Sequence, residues 1–199
     1  MSVLYIQSHA GSPDGEFRSA AADGRIKVVR ELDLTPAHFD EASGLITTIH
    51  LDQLGWPRFA VPLRQLLERG GRWIFNGHIL RPFLPGLGVY MPLLQPKRDD
   101  LALTRLAEHP IFSGIDQQKL ATNRGVAGFY GRGHNPMPPG ATAINGLGPN
   151  RLPIDWHWAL ATGGEIFSHA GNEFWGSGDD PELKELLANR AVAWAGGQL

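Results

Sequence analysis

Apolar and polar positions along the chain fall into short, sharply bounded runs. VLYIQ, Val3 to Gln7, is apolar and stops abruptly at the turn-rich SHAGSPDG, which predicts a central strand. RIKVVREL, Arg25 to Leu32, alternates through Ile26, Val28 and Arg30 and predicts a half-buried strand. GLITTIHL, Gly44 to Leu51, is rich in β-branched residues, as a buried third strand should be. The period then changes. In RFAVPLRQLLERGG, Leu63, Leu66 and Leu67 share one helical face, and Gly70-Gly71 supplies the stop. A fourth strand follows at Arg72 to Phe75. Strand, helix and strand joined by short links are the pattern of a parallel sheet built from crossover units.

The middle of the chain is less regular. LRPFLPGLGVYMPLLQP is too crowded with proline and glycine for a regular element. DLALTRLAE, Asp100 to Glu108, predicts a helix, and residues 123–153 are turn-rich with short candidate strands. WHWALAT and EIFSHAG flank Gly163-Gly164 and predict a β-hairpin. The closing DDPELKELLANRAVAWAGG carries Asp180 as N-cap and Pro181 at the first helical position, with Leu183, Leu187 and Trp194 on one face. No internal repeat or linker interrupts the chain, so residues 1–199 read as one domain.

Composition narrows the function classes. A length of 199 residues suits one α/β domain, and 42% hydrophobic with 19% charged residues lies in the ordinary globular range. A net charge of −2, with no lysine- or arginine-rich block, argues against a nucleic-acid or anionic-membrane partner. No apolar run approaches the ~18 residues needed to span a bilayer, and the first residues lack a basic leader. The expectation is a soluble cytoplasmic protein. The absence of cysteine excludes disulfides, thiolate metal sites and every cysteine-nucleophile mechanism.

In an open parallel sheet, ligands bind beyond the carboxyl ends of the strands. Ser8-His9 follows the first strand; Thr47-Thr48-Ile49-His50, with Asp52 close behind, ends the third. Asn76-Gly77-His78 ends the fourth, and Ser168-His169 leads through Ala170-Gly171-Asn172 to Glu173 at the end of the hairpin. Four of the eight histidines thus stand at expected strand ends. Three readings compete. The histidines cap loops or meet solvent, or they line a polar pocket for an anion or sugar hydroxyls, or they form a histidine-carboxylate metal or acid-base site. No HxH or HExxH spacing occurs, so no metal is expected, and no dinucleotide loop or P-loop lysine motif implies a cofactor. Ser168 and His169 are strand neighbours on opposite faces, and no GxSxG elbow exists. A cross-chain triad of Ser8, His169 and Asp155 can be drawn but ranks last. Trp73 and Trp194 read as core, whereas Trp156, Trp158 and Trp175 are candidates for a pocket mouth.

Several segments together resemble a known family. GLITTIHLDQLG, LRQLLERGGRWIFNGHI, LAEHPIFSGI, DWHWALATGGEIFSHAGNEFW and LLANRAVAWAGG are similar to the class I glutamine amidotransferase-like superfamily, and within it to the ThuA-like (trehalose utilisation-like) branch. The resemblance implies an α/β, flavodoxin-like three-layer sandwich with a mostly parallel sheet and a late β-hairpin. It also implies a nucleophile elbow at the end of the fourth strand. Glutamine amidotransferases place a cysteine there and a His-Glu pair near the C-terminus; here the elbow reads Phe75-Asn76-Gly77-His78, and SHAGNEFW lacks the His-x-Glu spacing. An amide is not a competent nucleophile, so glutamine hydrolysis is not expected. The expected lining is Asn76, the Gly77 amide as an anion donor, His78, His9, His50 and His169, around a small polar ligand or a protein partner. The alternatives are a hydrolase or isomerase on a carbohydrate-like substrate with His78 or His169 as general base, and a structural, homo-oligomerising module with a vestigial pocket.

Overall fold

β-Branched and aromatic runs that are apolar on both faces must be covered on both sides, and the chain meets this with helices above and below one sheet. The computed structural model describes residues 2–9 and 15–199; the turn expected at Ala10 to Asp14 lies outside the described residues. The strands are β1 (Ser2–Gln7), β2 (Ile26–Arg30), β3 (Ala42–Thr47), β4 (Arg72–Asn76), β5 (Met91–Pro92), β6 (Leu103–Arg105), β7 (Thr122–Asn123), β8 (Val126–Ala127), β9 (Gly133–His134), β10 (Thr142–Leu147), β11 (Leu152–Ala159) and β12 (Glu165–His169). The helices are α1 (Arg18–Ala22), α2 (Pro36–Asp40), α3 (Ala60–Glu68) and α4 (Pro181–Ala195).

Eight strands form the main sheet in the order β2-β1-β3-β4-β12-β11-β10-β6. The first five in that order run parallel, and β11, β10 and β6 extend the sheet antiparallel. β5 with β9, and β7 with β8, make two small separate ladders. One face packs Tyr5, Ile46, Ile74 and Phe167 under α4 and α1. The other packs Leu45, Trp73 and Phe75 under α3 and α2, with Leu63, Leu66 and Leu67 buried as their spacing predicts. This is the expected flavodoxin-like α/β sandwich, with its late hairpin at β11 and β12.

Four expectations need correction. Asp100 to Glu108 is not a helix: a 3₁₀ turn at Arg98–Leu101 leads into β6, which pairs with β10. Helix-compatible composition yields here because the free edge of β10 takes Leu103 into the core and holds Arg105 against Asn145. The third strand ends at Thr47, four residues early, since the Ile49 amide bonds the Glu173 carboxylate (3.3 Å) rather than a neighbouring strand. β1 is interior but second from the edge; β2 is the edge, burying Ile26 and Val29. Trp156 and Trp175 are fully buried, leaving Trp158 as the half-exposed one of the three.

α4 closes one layer as its caps predict. Asp180 accepts from the Glu182 amide (2.9 Å), Pro181 opens the helix, and Leu187, Val192 and Trp194 are buried. Its C-terminal end approaches β3 so closely that a methyl group on Gly44 would lie 1.9 Å from the Ala195 carbonyl oxygen. At the amino end of the sheet, Arg72 and His157 both bind Glu165, at 2.8 and 2.7 Å. Beside them the buried His109 accepts the Ile111 amide at Nδ1 (3.3 Å). Burial, with His157, Arg72 and Arg105 adding like charge, pushes the His109 imidazole down to about 3.

Two measurements check this packing. Gly44→Ala should destabilise by about 3 kcal/mol or more in urea unfolding, because backbone rather than a flexible side chain must move. His109 stays neutral in the folded chain, while the unfolded chain takes up its proton below the ordinary histidine value of 6.5. Its contribution to stability is therefore complete above that pH and is lost progressively down to about 3. In mid-range the slope is about 1.4 kcal/mol per pH unit. His109→Asn, which keeps an acceptor for Ile111, should flatten the stability-pH curve between those limits; an unchanged slope would contradict the assignment.

Candidate functional site at the carboxyl edge of the sheet

Near the carboxyl ends of the parallel strands the core pattern gives way to a row of polar residues. Asn76 on β4 is in register with His169 on β12, His169 with Asp155 on β11, Asp155 with Asn145 on β10, and Asn145 with Arg105 on β6. Registered neighbours project from the same face, so five side chains form one line across five strands. Asn76, His169, Asp155 and Asn145 are each fully buried.

The line is bonded end to end from His169 outward. His169 Nδ1 lies 2.6 Å from Asp155 Oδ1. Asp155 Oδ2 accepts from the Tyr130 hydroxyl and from Asn145 Nδ2, both at 2.6 Å. Arg105 Nε donates to Asn145 Oδ1 (2.8 Å) and so orients that amide. A carboxylate only accepts, which puts the ring proton of neutral His169 on Nδ1 and leaves a lone pair on Nε2. Burial and the adjacent Asp155 raise the Tyr130 phenol well above its usual range, so it stays a donor.

Beyond this bonded part, polar atoms go unmatched. His169 Nε2, Asn76 Nδ2, Thr48 Oγ1 and Ser8 Oγ are buried and have no hydrogen-bond partner among the described residues. They belong to the ends of β12, β4, β3 and β1, four consecutive strands of the sheet. Asn76 Oδ1 accepts the Phe174 amide (3.1 Å), which fixes its flip and turns Nδ2 away from that amide. A methyl group on Gly171 would sit 2.7 Å from His169 Nε2 and 1.8 Å from the Tyr130 carbonyl oxygen, so only glycine fits beside the imidazole.

The remaining site residues fall as follows. Gly77 has φ +123° and donates its amide to the His169 carbonyl (2.8 Å), which corrects its expected role as an anion donor. Its task is steric: a Cβ there would lie 2.8 Å from the Ile49 Cα. His78 stacks on Tyr90 at 3.8 Å, and burial, with a smaller push from His169, lowers its imidazole. It lines a cavity of about 350 Å³ with Ile49, Asp52, Gln53 and Arg81. Gln53 holds this loop by donating to the His78 carbonyl (2.6 Å) and accepting the Leu80 and Arg81 amides. His9 and His50 form a second pair, ring centroids 5.6 Å apart, with His50 exposed. The four histidines thus divide into two pairs along one edge. β1 and β12 are three strand spacings apart, or about 14 Å, so Ser8 does not complete a triad with His169 and Asp155.

Tyr130, Asn145, Asn135 and Glu173 were not expected at the site. Asn135 donates to the Gly77 carbonyl and to Ser168 Oγ (2.9 and 3.0 Å), clamping the elbow to β12. Asp155 had a usable signal. Counting outward from the hairpin turn, Ala159 faces Glu165, and the same register brings Asp155 opposite His169. Among the described residues, no group of three or more histidine or carboxylate side chains is placed to hold a metal ion.

No family model matches the chain, and no curated protein sequence does. Among solved structures, the chain is similar to a candidate GMP synthase glutaminase-type component from Thermoplasma acidophilum. The TM-score is 0.58 at 10% identity, over 100% of this chain and 98% of the other. At that identity the likeness concerns the fold alone, a class I glutamine amidotransferase-like fold.

The Asp155 hub yields a graded expectation. Tyr130→Phe should cost about 2 kcal/mol, because Asn145 still serves the same carboxylate oxygen. Asp155→Ala should cost about 4 kcal/mol, since three buried donors lose their acceptor together. Urea unfolding of both variants beside the parent checks the order; a more damaging Tyr130→Phe would refute the hub.

Proposed function

We propose that this class I glutamine amidotransferase-like fold, lacking any cysteine, binds a small polar ligand at its carboxyl edge and does not hydrolyse glutamine. The supporting observation is the set of buried, unmatched atoms on adjacent strands: His169 Nε2, Asn76 Nδ2 and Thr48 Oγ1. Leaving such atoms unbonded costs about 1–3 kcal/mol each, which a matching ligand recovers. The inventory also selects among ligands. His169 Nε2 can only accept, Asn76 Nδ2 can only donate, and the threonine hydroxyl does either. A ligand hydroxyl satisfies both nitrogens at once, donating to the imidazole and accepting from the amide. An oxyanion leaves the imidazole lone pair unmet. Sugar- or polyol-like ligands fit better, and they enter from the adjoining His78 cavity by displacing what covers the row.

A second reading makes the protein an enzyme on such a substrate, with His169 as general base. It is favoured by one observation, the 2.6 Å contact of His169 Nδ1 with Asp155, which orients the ring for proton abstraction at Nε2. His78, stacked on Tyr90, is then a wall rather than the base. Either reading suits a cysteine-free chain in a reducing cytoplasm.

Calorimetric titration with neutral polyols and sugars, beside phosphate and divalent ions, tests the binding. A neutral polyhydroxyl compound should bind, and Asn76→Ala or His169→Ala should weaken it about tenfold, the value of one buried hydrogen bond. Binding that is absent for every polyol, or indifferent to both variants, rejects the site. Turnover of the bound compound that is lost in His169→Ala but retained in His78→Ala would favour the enzyme.

A further inference from the structure

We propose that the amino end of the sheet, remote from the carboxyl edge, holds a second site that takes a small oxyanion, a carboxylate or a phosphate. A cavity of about 530 Å³ opens there, lined by Glu108, His109, Pro110, Ser113, Arg190 and Leu199. Three observations give it chemical character. The first is the His109 tautomer. Its Nδ1 accepts the Ile111 amide (3.3 Å), so the neutral ring carries its proton on Nε2. That N–H is buried, in a side chain only 3% exposed, and no described residue accepts from it.

The second is Arg190. Its Nη1 serves the Ile111 and Ser113 carbonyls at 3.3 and 2.6 Å, while Nε and Nη2 make no bond within the described chain. The free edge of a guanidinium is a two-pronged donor matched to a carboxylate or phosphate. The third is the sign of the surroundings. The charged groups that act on His109 are the cationic Arg72 and Arg105, together with His157, and they hold the ring in its neutral, Nε2-donating form. Glu165 is already engaged by Arg72 and His157. Glu108 is exposed at the rim, where water screens it.

A metal cation finds donors and positive charge here, so it is excluded. A neutral hydroxyl would satisfy His109 but leave the arginine edge unused. An oxyanion accepts from both, with the Ser113 hydroxyl available at the mouth. Because His109 donates while neutral, binding requires no change of protonation near pH 7.

The full chain, titrated with inorganic phosphate and separately with acetate, provides the test. The readouts are calorimetry and the ¹⁵N-¹H resonance of the His109 imidazole. Saturable binding with a shift of that resonance is expected. Arg190→Met should weaken it about tenfold or more, as for a lost charge-assisted hydrogen bond. Tighter phosphate than acetate identifies a phosphate-type ligand, and the reverse a carboxylate. Asn76→Ala should leave this binding unchanged, which separates the result from the fate of the carboxyl-edge site. Should Arg190→Met not fold, His109→Asn and the unmodified protein's own His109 resonance decide. No saturation by about 10 mM, an affinity too weak for a built site, overturns the proposal. So does binding that leaves the His109 resonance in place, which marks surface ions only.

Discussion

A carboxylate with no exposure to water, set in the middle of a β-sheet, dominates this structure. Asp155 cannot be left there unsolvated, because the cost of a bare buried charge exceeds what packing returns. Its three donors are what make it tolerable, and each drags part of the fold with it. Tyr130 comes from an irregular stretch, Asn145 from β10, and His169 from β12. Arg105 then orients Asn145 and spends another nitrogen on the Phe112 carbonyl (3.2 Å). The short strand β6 is thus held by the same chain of hydrogen bonds that orients His169. Structure and candidate chemistry share one set of bonds.

What could be read in the sequence depended on how local its cause was. The apolar face of Leu63, Leu66 and Leu67, the Asp180-Pro181 start of α4 and the Gly-Gly hairpin are set by neighbours within a few residues. The strand-end positions of Asn76 and His169 followed from strand boundaries alone. Asp100 to Glu108 misled because its conformation is decided by β10, some forty residues onward, whose edge needs a partner. The Gly77 amide misled for a related reason: its acceptor, the His169 carbonyl, becomes visible only once β4 and β12 are known to pair. Tyr130 and Asn145 lie in or beside glycine- and proline-rich sequence with no periodicity to reveal them.

The two ends of the sheet carry histidines of opposite design. At the carboxyl edge, Asp155 takes the Nδ1 proton of His169 and leaves the other nitrogen an acceptor. At the amino end, the Ile111 amide takes Nδ1 of His109 and leaves the other nitrogen a donor. Each tautomer is set by a single neighbour, and each dictates what a bound group must offer. The protein's missing cysteine removes one reaction without emptying the site of directed polar groups.

The His169–Asp155 contact spans 14 residues of chain, whereas the bond from Phe174 to Asn76 spans 98. Loop-closure entropy grows with the length enclosed, so the first contact is a local event of the hairpin and the second waits for the parallel crossovers to dock. The acid-base half of the edge is therefore assembled by a small, autonomous piece of topology, and the amide half by the whole. Inheritance follows the same division: descendants of this chain could vary their crossover helices widely and still keep a histidine aligned on its aspartate, provided the hairpin turn keeps its length.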